Sequence, residues 1–281
     1  MNKGVIYGVS GLPWLEETLV SAHSLRSVMP ELPRSLTIDK TTLDLVSHTL
    51  DLKNYFTDIQ VIDSVFHWRS MKFLAIKSSP YQQTLFLDGD TLIIDRLDEL
   101  FTLLDWFDIA AAEEKQKALK RYEDAPIIPL FDPVPITFPE LNTGVMVFNN
   151  TPAIQEMFDK WIALYERGLV EVEFIHDQGA FRNAIYYSDL RFAYLSPEYN
   201  LRAAVSHVLR GRVKIIHAHG HLKQIAQLAN IKQDSIRMWK PMQGLTFGFN
   251  PEKVKDPHNI SDSENKMFLD SISKTIERFS R

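Results

Sequence analysis

Short apolar segments alternate with segments of helical spacing in the first third of the chain. Residues 4–10 form an apolar run of the length expected for a buried strand. Pro13 stands where the first turn of a helix tolerates proline, and apolar residues then recur at helical spacing until Pro30 and Pro33 stop the pattern. The recurring positions are Leu15, Leu19, Ala22, Leu25 and Met29. The pattern therefore predicts a strand followed by a helix.

The same alternation continues through the next fifty residues. Residues 35–39 and 58–62 predict the second and third strands, residues 68–77 predict a helix, and residues 84–88 predict a further strand. Strands that alternate with helices are typical of an α/β domain with a largely parallel sheet. Ligands bind at the carboxyl ends of the strands in such sheets, so the residues that follow each strand are the first candidates for function.

A proline-rich loop interrupts the middle of the chain. It follows residues 107–112 and a helical stretch, and its prolines make it unsuited to a helix or a central strand. The prolines are Pro126, Pro129, Pro133, Pro135 and Pro139. A long loop of this kind serves either as a lid or binding loop or as a plain surface excursion, and the sequence leaves both interpretations open.

Two helices in the second half carry start signals. A strand at residues 144–148 leads to Thr151 as N-cap and Pro152 at the first helical position. The buried stripe predicted for this helix is Ile154, Met157, Trp161 and Leu164. Residues 261–264, Ser-Asp-Ser-Glu, form a capping box before the last helix. The apolar face predicted for that helix is Phe268, Ile272, Ile276 and Phe279, which favours a docking helix over one that lies on a membrane.

Composition excludes several classes of partner and site. The 281 residues include 31 Lys or Arg against 36 Asp or Glu, a net charge of −5, so nucleic acid is not expected as the principal partner. Without cysteine the chain has no disulfide, thiolate metal site or cysteine nucleophile. No apolar run has the length of a transmembrane segment and no signal peptide is recognised, so a cytoplasmic protein is predicted.

Two carboxylates follow the strand predicted at residues 84–88. Asp88 and Asp90 are separated by one residue, so on an extended chain their side chains point the same way and can converge on one cation. Gly89 between them lets the backbone bend and leaves room for a ligand. Hard oxygen ligands suit Mg²⁺ or Mn²⁺. These residues also suit a solvated turn, and by themselves they do not decide between the two interpretations.

A second polar group begins at the end of a strand predicted at residues 213–217, Val-Lys-Ile-Ile-His. His217, Gly220 and Lys223 supply an imidazole for a metal, a glycine for close backbone approach, and a lysine for phosphate. His219 and His221 raise the alternative of an independent zinc site, but Gly220 argues against a continuous strand and no Glu stands at zinc-protease spacing. Without the aspartate pair, loop histidines without a metal would be the default interpretation.

Two metal-dependent reactions use an Asp-x-Asp pair at a strand end. In a phosphohydrolase the first Asp attacks phosphorus, whereas in glycosyl transfer the metal neutralises the departing diphosphate. The phosphohydrolase pattern ends in Thr or Val and usually lies on the first strand, but Leu92 stands at that position here and several elements precede it. An EF-hand loop also fails, because positions 92 and 93 lack the required ligand and glycine. The distant histidine motif favours glycosyl transfer.

Four blocks of the sequence, in this order, resemble one known family. They are the amino-terminal strand and helix, residues 81–101 around the Asp-x-Asp pair, residues 141–149 (Leu-Asn-Thr-Gly-Val-Met-Val-Phe-Asn), and residues 217–223; a fifth, weaker block is His176-Asp177-Gln178. The chain thereby resembles the GT-A-fold glycosyltransferases, most closely the retaining family 8 group of glycogenin-like and bacterial galactosyltransferase-like enzymes. The likeness covers residues 4–225.

The resemblance implies an α/β, GT-A fold in a single domain, with a central, mostly parallel twisted sheet flanked by helices. Residues 1–250 would form this domain and residues 251–281 a short helical C-terminal extension. The implied metal ligands are Asp88, Asp90 and His217. The implied catalytic residues, at the donor sugar and the reacting face, are Asp177, Gln178 and Asn142. The implied donor contacts are Tyr7, Gly8 and Val9 at the nucleoside, Asp39 at the base or ribose, and Arg69, Lys72, Gly89, Gly220 and Lys223 toward the phosphates.

The chain departs from the family pattern at three places. Gln224-Ile225 follows the motif lysine where many members have Pro-Trp, Ala218 replaces a usual aromatic residue, and Gly89 stands where Ala or Ser is common. These differences indicate a divergent branch, in which the geometry of the carboxyl-terminal loop is not given by the family pattern.

The implied function is transfer of a hexose from a nucleotide-diphosphate sugar, with UDP favoured, to an acceptor hydroxyl. The resemblance implies dependence on Mn²⁺ or Mg²⁺ and retention of anomeric configuration. The acceptor, whether carbohydrate, glycolipid or protein, is not identified, and residues 124–140 and the region after Lys223 are expected to shape its site. The alternatives are a metal-dependent phosphohydrolase and a catalytically silent protein that binds sugar nucleotides.

Overall fold

The computed structural model describes residues 2–63, 67–114, 131–135, 137–173, 176–219, 222–241 and 261–279. Outside these residues lie the helical stretch expected after residue 112, most of the proline-rich loop, and Gly220 and His221 of the histidine motif.

The described strands are β1 (Lys3–Val9), β2 (Arg34–Asp39), β3 (Asp58–Ile62), β4 (Gln83–Leu87), β5 (Thr91–Ile93), β6 (Ile109–Glu113), β7 (Leu141–Asn149), β8 (Phe192–Leu195), β9 (Leu201–Arg202), β10 (His207–Leu209), β11 (Ile215–His217) and β12 (Arg237–Trp239). The described α-helices are α1 (Leu12–Val28), α2 (Lys40–Val46), α3 (Met71–Lys77), α4 (Asp98–Thr102), α5 (Pro152–Val172), α6 (Gln178–Tyr186), α7 (Leu222–Ala229) and α8 (Asp262–Phe279).

Seven strands form the main sheet, in the order β3-β2-β1-β4-β7-β6-β8. β1 is parallel to β2 and β4, β2 to β3, and β6 to β8, whereas β7 is antiparallel to both of its neighbours. The predicted, mostly parallel sheet is therefore confirmed, with β7 as the reversed strand. Because β7 is reversed, its first residues lie at the edge where β1 and β4 end, which is the edge that binds ligands in such sheets.

Successive residues of the central strands point into two separate hydrophobic cores. In β1, Val5 and Tyr7 belong to the first core and Ile6 to the second; in β4, Leu85 belongs to the first and Phe86 to the second. The first core also contains apolar residues of α1 and α4, and the second those of α3, α5 and α6. This alternation follows the two-residue period of a strand, and burial on both faces explains why residues 5–7 of β1 and 85–87 of β4 are consecutive hydrophobic residues.

A smaller, three-stranded sheet begins directly after the Asp-x-Asp pair. Its order is β5-β11-β9, with β5 antiparallel and β9 parallel to β11. The sequence predicts the strand that ends at His217 but neither β5 nor β9, because strands of three and two residues carry no periodicity of their own.

The two predicted helix starts are confirmed. The Thr151 side chain accepts a hydrogen bond from the Ile154 backbone N–H at the start of α5. Before α8, the Ser261 N–H donates to the Glu264 carboxylate and the Glu264 N–H donates to the Ser261 hydroxyl, which is a reciprocal capping box. Within the buried stripe of α5, Tyr165 is 2% exposed and completes the row, whereas Leu164 is only partly buried.

The last helix packs against α1. The Ser271 and Thr275 hydroxyls of α8 donate to the same oxygen of Glu16, at 2.9 and 2.8 Å. The Phe279 ring stacks on His23 of α1, with ring centroids 3.9 Å apart. Among the described residues, no helix, α8 included, is both long and apolar enough to cross a membrane.

Glu16→Ala should loosen α8 before it affects the rest of the chain. It leaves two partly buried hydroxyls without their acceptor, so we expect a loss of about 1–2 kcal/mol in the free energy of unfolding. Hydrogen exchange should accelerate in residues 262–279 first. Urea unfolding and exchange mass spectrometry measure both effects, and Glu171→Ala, an exposed residue of α5, is the matched control. Unchanged exchange in α8 would contradict the prediction.

Candidate metal and donor site

The carboxylate pair lies where β4 passes into β5. The Asp88 N–H donates to the Gly144 carbonyl at 2.8 Å, and the Thr91 hydroxyl donates to the Asp88 carbonyl at 2.9 Å, so the turn is fixed at both ends. At Gly89 an added Cβ would lie 2.4 Å from the Thr18 hydroxyl oxygen. The missing side chain of Gly89 therefore makes room for α1, and the residue also lines the pocket described below.

Pairing of β5 with β11 brings His217 to the two aspartates. His217 lies opposite Thr91 in the register, and the Ala218 N–H donates to the Asp90 carbonyl. His217 Nε2 is 3.3 Å from one oxygen of Asp90 and 4.0 Å from one oxygen of Asp88. One potential ligand atom from each of the three residues lies within 4.8 Å of the others, as a single cation requires.

The second nitrogen of His217 sets the orientation of the ring. Nδ1 is 2.8 Å from the Asn200 side-chain oxygen, which only accepts, so Nδ1 carries a proton and Nε2 is the nitrogen that faces the carboxylates. The Asn200 amide in turn donates to the Asn142 side-chain oxygen at 2.8 Å, and the Gly144 N–H donates to that oxygen at 3.0 Å. Such outer contacts fix the tautomer of a metal-binding histidine.

The absence of a side chain at Gly144 leaves the space in which the candidate metal ligands His217 and Asp88 approach each other. A Cβ at this position would lie 2.2 Å from His217 Cε1 and 2.8 Å from a carboxylate oxygen of Asp88. Real Cβ atoms do not approach other atoms this closely, so only glycine allows the imidazole and the carboxylate to share this space. The donor set and its packing therefore fit a divalent cation.

The charges at the site favour a cation. Burial alone would raise the pKa of Asp90, but His217 and His219 lower it well below its ordinary value. The pKa of Asp88 is raised, first by burial and then by the charge of Asp90. Removing both carboxylates from water is costly unless a positive charge compensates them.

Lys72 provides one such charge. Its ammonium is 3.4 Å from Asp88, 3.3 Å from Asp177 and 3.0 Å from the Thr143 hydroxyl. Burial would lower the pKa of Lys72, but Asp177 and Asp88 outweigh burial and raise it. The pKa of Asp177 is lowered against the effect of burial, by Lys72 and by the hydroxyl of Thr143 at 2.8 Å. Lys72 and Asp177 are therefore charged at neutral pH.

A pocket of about 200 Å³ opens beside the three candidate metal ligands. Trp14, Glu17 and Thr18 of α1 form one wall, and Tyr165 lies among the lining residues. The sequence-predicted site residues that line the pocket are Gly8, Arg69, Lys72, Asp88, Gly89, Asp90 and Asp177.

Other predicted donor contacts do not line this pocket. The side chains of Tyr7 and Val9 are buried in the first core. Asp39 caps α2, where its carboxylate accepts from the backbone N–H and the hydroxyl of Thr42. Lys223 is exposed on α7 and is not among the described residues that line the pocket.

Sequence reasoning missed Glu114, which joins two of the predicted catalytic residues. Its side chain is 1% exposed and accepts from Asn142 at 2.9 Å, Gln178 at 3.2 Å and Arg202 at 2.8 Å. Glu114 comes directly after β6, so its position after a predicted apolar segment was the only signal in the sequence. Glu114 and the three residues it joins come from four separate parts of the chain, which no local pattern reveals.

His219 and Glu17 were also missed as parts of this site. His219 Nδ1 is 2.7 Å from the Glu17 carboxylate, and Nε2 is 3.5 Å from the second oxygen of Asp90. Burial would lower the pKa of His219, but Glu17 and Asp90 raise it to about 9. Asp90 thus lies between two imidazoles, His217 on one oxygen and His219 on the other. The sequence signal was the dense histidine motif, which raised only the alternative of a zinc site.

Comparison with known proteins identifies the fold. No protein-family model matches the sequence, and no curated protein matches it either. The glycosyltransferase GlyE of Streptococcus pneumoniae TIGR4 superposes with a TM-score of 0.54 at 19% identity, over 96% of this chain and 64% of GlyE. The chain thus spans somewhat less than two thirds of GlyE. At this identity the match shows a shared fold, the GT-A glycosyltransferase fold.

Two further solved structures are similar at lower TM-scores. Mouse xyloside xylosyltransferase 1 matches at 17% identity with a TM-score of 0.49, over 78% of this chain and 98% of the other. The galactosyltransferase LgtC, crystallised with donor and acceptor sugar analogues, matches at 12% identity with a TM-score of 0.49, over 94% and 99%. Family 8 membership stays a prediction from the sequence motifs.

Proposed function

We propose that this protein is a glycosyltransferase that uses a nucleotide-diphosphate sugar and a divalent cation held by Asp88, Asp90 and His217. The observation that carries the proposal is the convergence of these side chains, from two different sheets, beside a pocket at the ligand-binding edge of a GT-A fold. In finer detail, we propose a hexose donor, linked to UDP, and retention of anomeric configuration. The acceptor is a hydroxyl on a molecule that is not identified.

The candidate metal ligands suit Mn²⁺ or Mg²⁺. Two carboxylates and one imidazole leave coordination positions open for phosphate oxygens. When bound, such an ion supplies positive charge against the negative charge that develops on a departing diphosphate. The chain contributes the ligand geometry, because Asn200 fixes the His217 ring and Gly144 leaves it the necessary space.

Cationic side chains in the pocket are proposed to bind the phosphates. Arg69 and Lys72 both line it, and Lys72 is held between Asp88 and Asp177. A fixed ammonium stabilises a developing charge without further reorganisation. Gly8 lines the pocket while the side chains of its neighbours Tyr7 and Val9 are in the core, so these two residues would contact the nucleoside through their backbone. Asp39, Gly220 and Lys223 remain family-based predictions.

Asp177, Gln178 and Asn142 are proposed to position the donor sugar. Glu114 accepts hydrogen bonds from Asn142 and Gln178 and so fixes their amides relative to each other. Asp177 keeps its negative charge through Lys72 and Thr143, which suits it to stabilise an oxocarbenium-like sugar. Asp177 acts here as a stabilising and positioning group rather than as an obligatory nucleophile.

A panel of nucleotide sugars tests the proposal. With Mn²⁺ present, one donor should raise the melting temperature of the protein, and the shift should vanish without the metal. Turnover should release nucleoside diphosphate and little orthophosphate. Release of orthophosphate as the main product would favour a phosphohydrolase, and donor binding without any turnover would favour a silent sugar-nucleotide-binding protein. The matched variant Asp105→Asn, on an exposed surface, should behave like the wild type.

Asp177→Asn should lower kcat more than a hundredfold and change the Mn²⁺ dissociation constant little. The neutral amide keeps the shape of the side chain but removes the charge that faces the pocket. Steady-state kinetics and Mn²⁺ titration by electron paramagnetic resonance separate the two effects. Asp159→Asn, which removes an exposed carboxylate from a surface ion pair, is the control. Turnover within severalfold of wild type would assign Asp177 a structural role.

Substitutions of His219, which lies against Asp90, or of Glu17, which holds His219, should weaken metal binding. In His219→Ala the second oxygen of Asp90 loses its neighbouring imidazole, and in Glu17→Gln that imidazole loses the carboxylate that orients it. We expect the Mn²⁺ dissociation constant to rise about 10–100-fold in the first variant and less in the second. Electron paramagnetic resonance measures this without any substrate. The exposed His48→Ala is the matched control. An unchanged constant in both variants would show that Asp90 needs no support from this pair.

A further inference from the structure

The two-stranded sheet β10–β12 has one buried face and one exposed face. Leu209 and Trp239 point inward and are 1% and 5% exposed. Val208 lies opposite Met238 in the register, and these side chains are 46% and 62% exposed. Ile236, two residues before Met238, is 74% exposed. Three aliphatic side chains therefore share the exposed face of one small sheet.

Two cations flank these aliphatic side chains. If the register is continued by one residue beyond each strand, Arg210 lies opposite Ile236, and Lys240 lies two residues after Met238 on the same face. Both cations are exposed, and the described part of the chain provides no ion-pair partner for either. Val208, Arg210, Ile236, Met238 and Lys240 are called the outer ribbon face below.

The surrounding segment is strongly basic. Residues 201–241 contain eight Lys or Arg against a single acidic residue, Asp234, although the whole chain has a net charge of −5. Three of these cations, Arg202, Arg212 and Lys214, pair with carboxylates outside the segment, which leaves five cations against one carboxylate. In the turn before β12, Ile231 is 56% exposed and is followed by the exposed Lys232. Apolar and cationic side chains thus continue beyond the outer ribbon face.

We propose that the outer ribbon face binds an anionic membrane surface. Its aliphatic side chains would enter the boundary between headgroups and acyl chains, while Arg210 and Lys240 bind the phosphates of anionic headgroups. Long cationic side chains can do this because their apolar stems lie along the aliphatic surface while their charges stay in the headgroup layer. This is peripheral binding and goes beyond the proposed glycosyl transfer.

Two other occupants fit this surface less well. A second copy of the chain, paired about a two-fold axis, would bring the basic segments of both copies together, and their like charges would repel each other. For a different protein as partner, the core of an interface is typically rich in aromatic residues, Met and Arg and depleted of Lys, whereas the outer ribbon face has Met238 and Arg210 but no aromatic residue, and it includes Lys240. The charge and the aliphatic character together favour the anionic lipid surface.

Flotation of the full chain with lipid vesicles tests the proposal. The two vesicle types are phosphatidylcholine alone and phosphatidylcholine with phosphatidylglycerol. One variant removes the aliphatic groups (Val208→Ser, Ile236→Ser, Met238→Ser) and a second removes the charges (Arg210→Gln, Lys240→Gln). The matched control changes two equally exposed apolar residues elsewhere, Trp106→Ser and Val170→Ser, which are 75% and 69% exposed. Near-ultraviolet circular dichroism verifies that each variant is folded.

The wild type and the control should bind the anionic vesicles and not phosphatidylcholine alone. The aliphatic variant should bind at least about tenfold more weakly, and the charge variant about fivefold more weakly per cation, with the remaining binding less sensitive to salt. Absence of wild-type binding, or equal losses in the control, would overturn the proposal. So would a dimer in analytical ultracentrifugation that the aliphatic variant abolishes, since the face would then pair two copies.

Discussion

Asp88→Asn is expected to lower kcat/KM for donor turnover by about a thousandfold or more, which corresponds to about 4 kcal/mol of transition-state stabilisation. The substitution removes one of two carboxylates in the candidate metal site while it keeps the volume of the side chain. It also removes a carboxylate whose pKa is raised by burial and by the neighbouring Asp90.

Because the pKa of Asp88 is raised, the melting temperature of the Asp88→Asn variant provides a second measurement. A carboxyl group with a raised pKa is less stable when ionised in the folded chain than in the unfolded chain, so above that pKa it costs free energy of folding. Asp88→Asn should therefore leave the melting temperature of the metal-free protein unchanged or raise it, although the charge of Lys72 then loses one partner. The loss of activity would then not be explained by unfolding.

Three measurements check this prediction together: the melting temperature without metal, the Mn²⁺ dissociation constant, and kcat/KM. Asp95→Asn, on the surface beside Arg212, is the control and should match the wild type in all three. If Asp88→Asn retains more than a tenth of the wild-type kcat/KM, Asp88 is not a metal ligand of the reaction. A large fall in melting temperature would instead show that its contact with Lys72 is needed for folding.

Gly144→Ala is expected to abolish Mn²⁺ binding although it changes no ligand. The new methyl group would overlap the His217 ring and press on the Asp88 carboxylate. The His217 ring is held by Asn200, and the Gly144 carbonyl by the Asp88 N–H directly after β4, so neither can yield without breaking a hydrogen bond. We expect the dissociation constant for Mn²⁺ to rise at least about a hundredfold, with a loss of stability of about 1–3 kcal/mol from overpacking.

The matched control for this prediction is Gly211→Ala. There the nearest atom to an added Cβ is Glu198 Cγ at 4.0 Å, an ordinary contact, so stability and Mn²⁺ binding should both be preserved. Binding in Gly144→Ala within a few fold of wild type would show that His217 and Asp88 do not meet at this glycine when a metal is bound. Electron paramagnetic resonance and urea unfolding provide the two measurements.

The strands that build the main sheet could be predicted because their signal is local. β1 and β4 are short and apolar on both faces, and each is bounded by residues that end a strand. The helix starts at Thr151 and Ser261 were equally predictable, since an N-cap depends on residues within one turn. The Asp-x-Asp pair was recognised for the same reason: its two carboxylates lie two residues apart at the end of one strand.

The partners of that pair were predicted only in part. His217 was assigned to the metal through its motif, and the structure places it beside Asp88 and Asp90. Lys223 was assigned through the same motif, but it is exposed on α7 and does not line the pocket. A motif gives the spacing of residues along the chain, whereas the direction of a side chain after a turn depends on how the following helix packs.

The sequence by itself determined that the chain alternates strands with helices and that two carboxylates lie at the end of the central strand β4. Only the tertiary structure decided that β5 pairs with β11, which puts His217 beside Asp90, and that Glu114, Asn200, His219 and Glu17 complete the surroundings. The physical reason is the range of the interactions. Hydrophobic periodicity and capping act within a few residues, while the partner of a three-residue strand is set by hydrogen bonds and packing between segments more than a hundred residues apart.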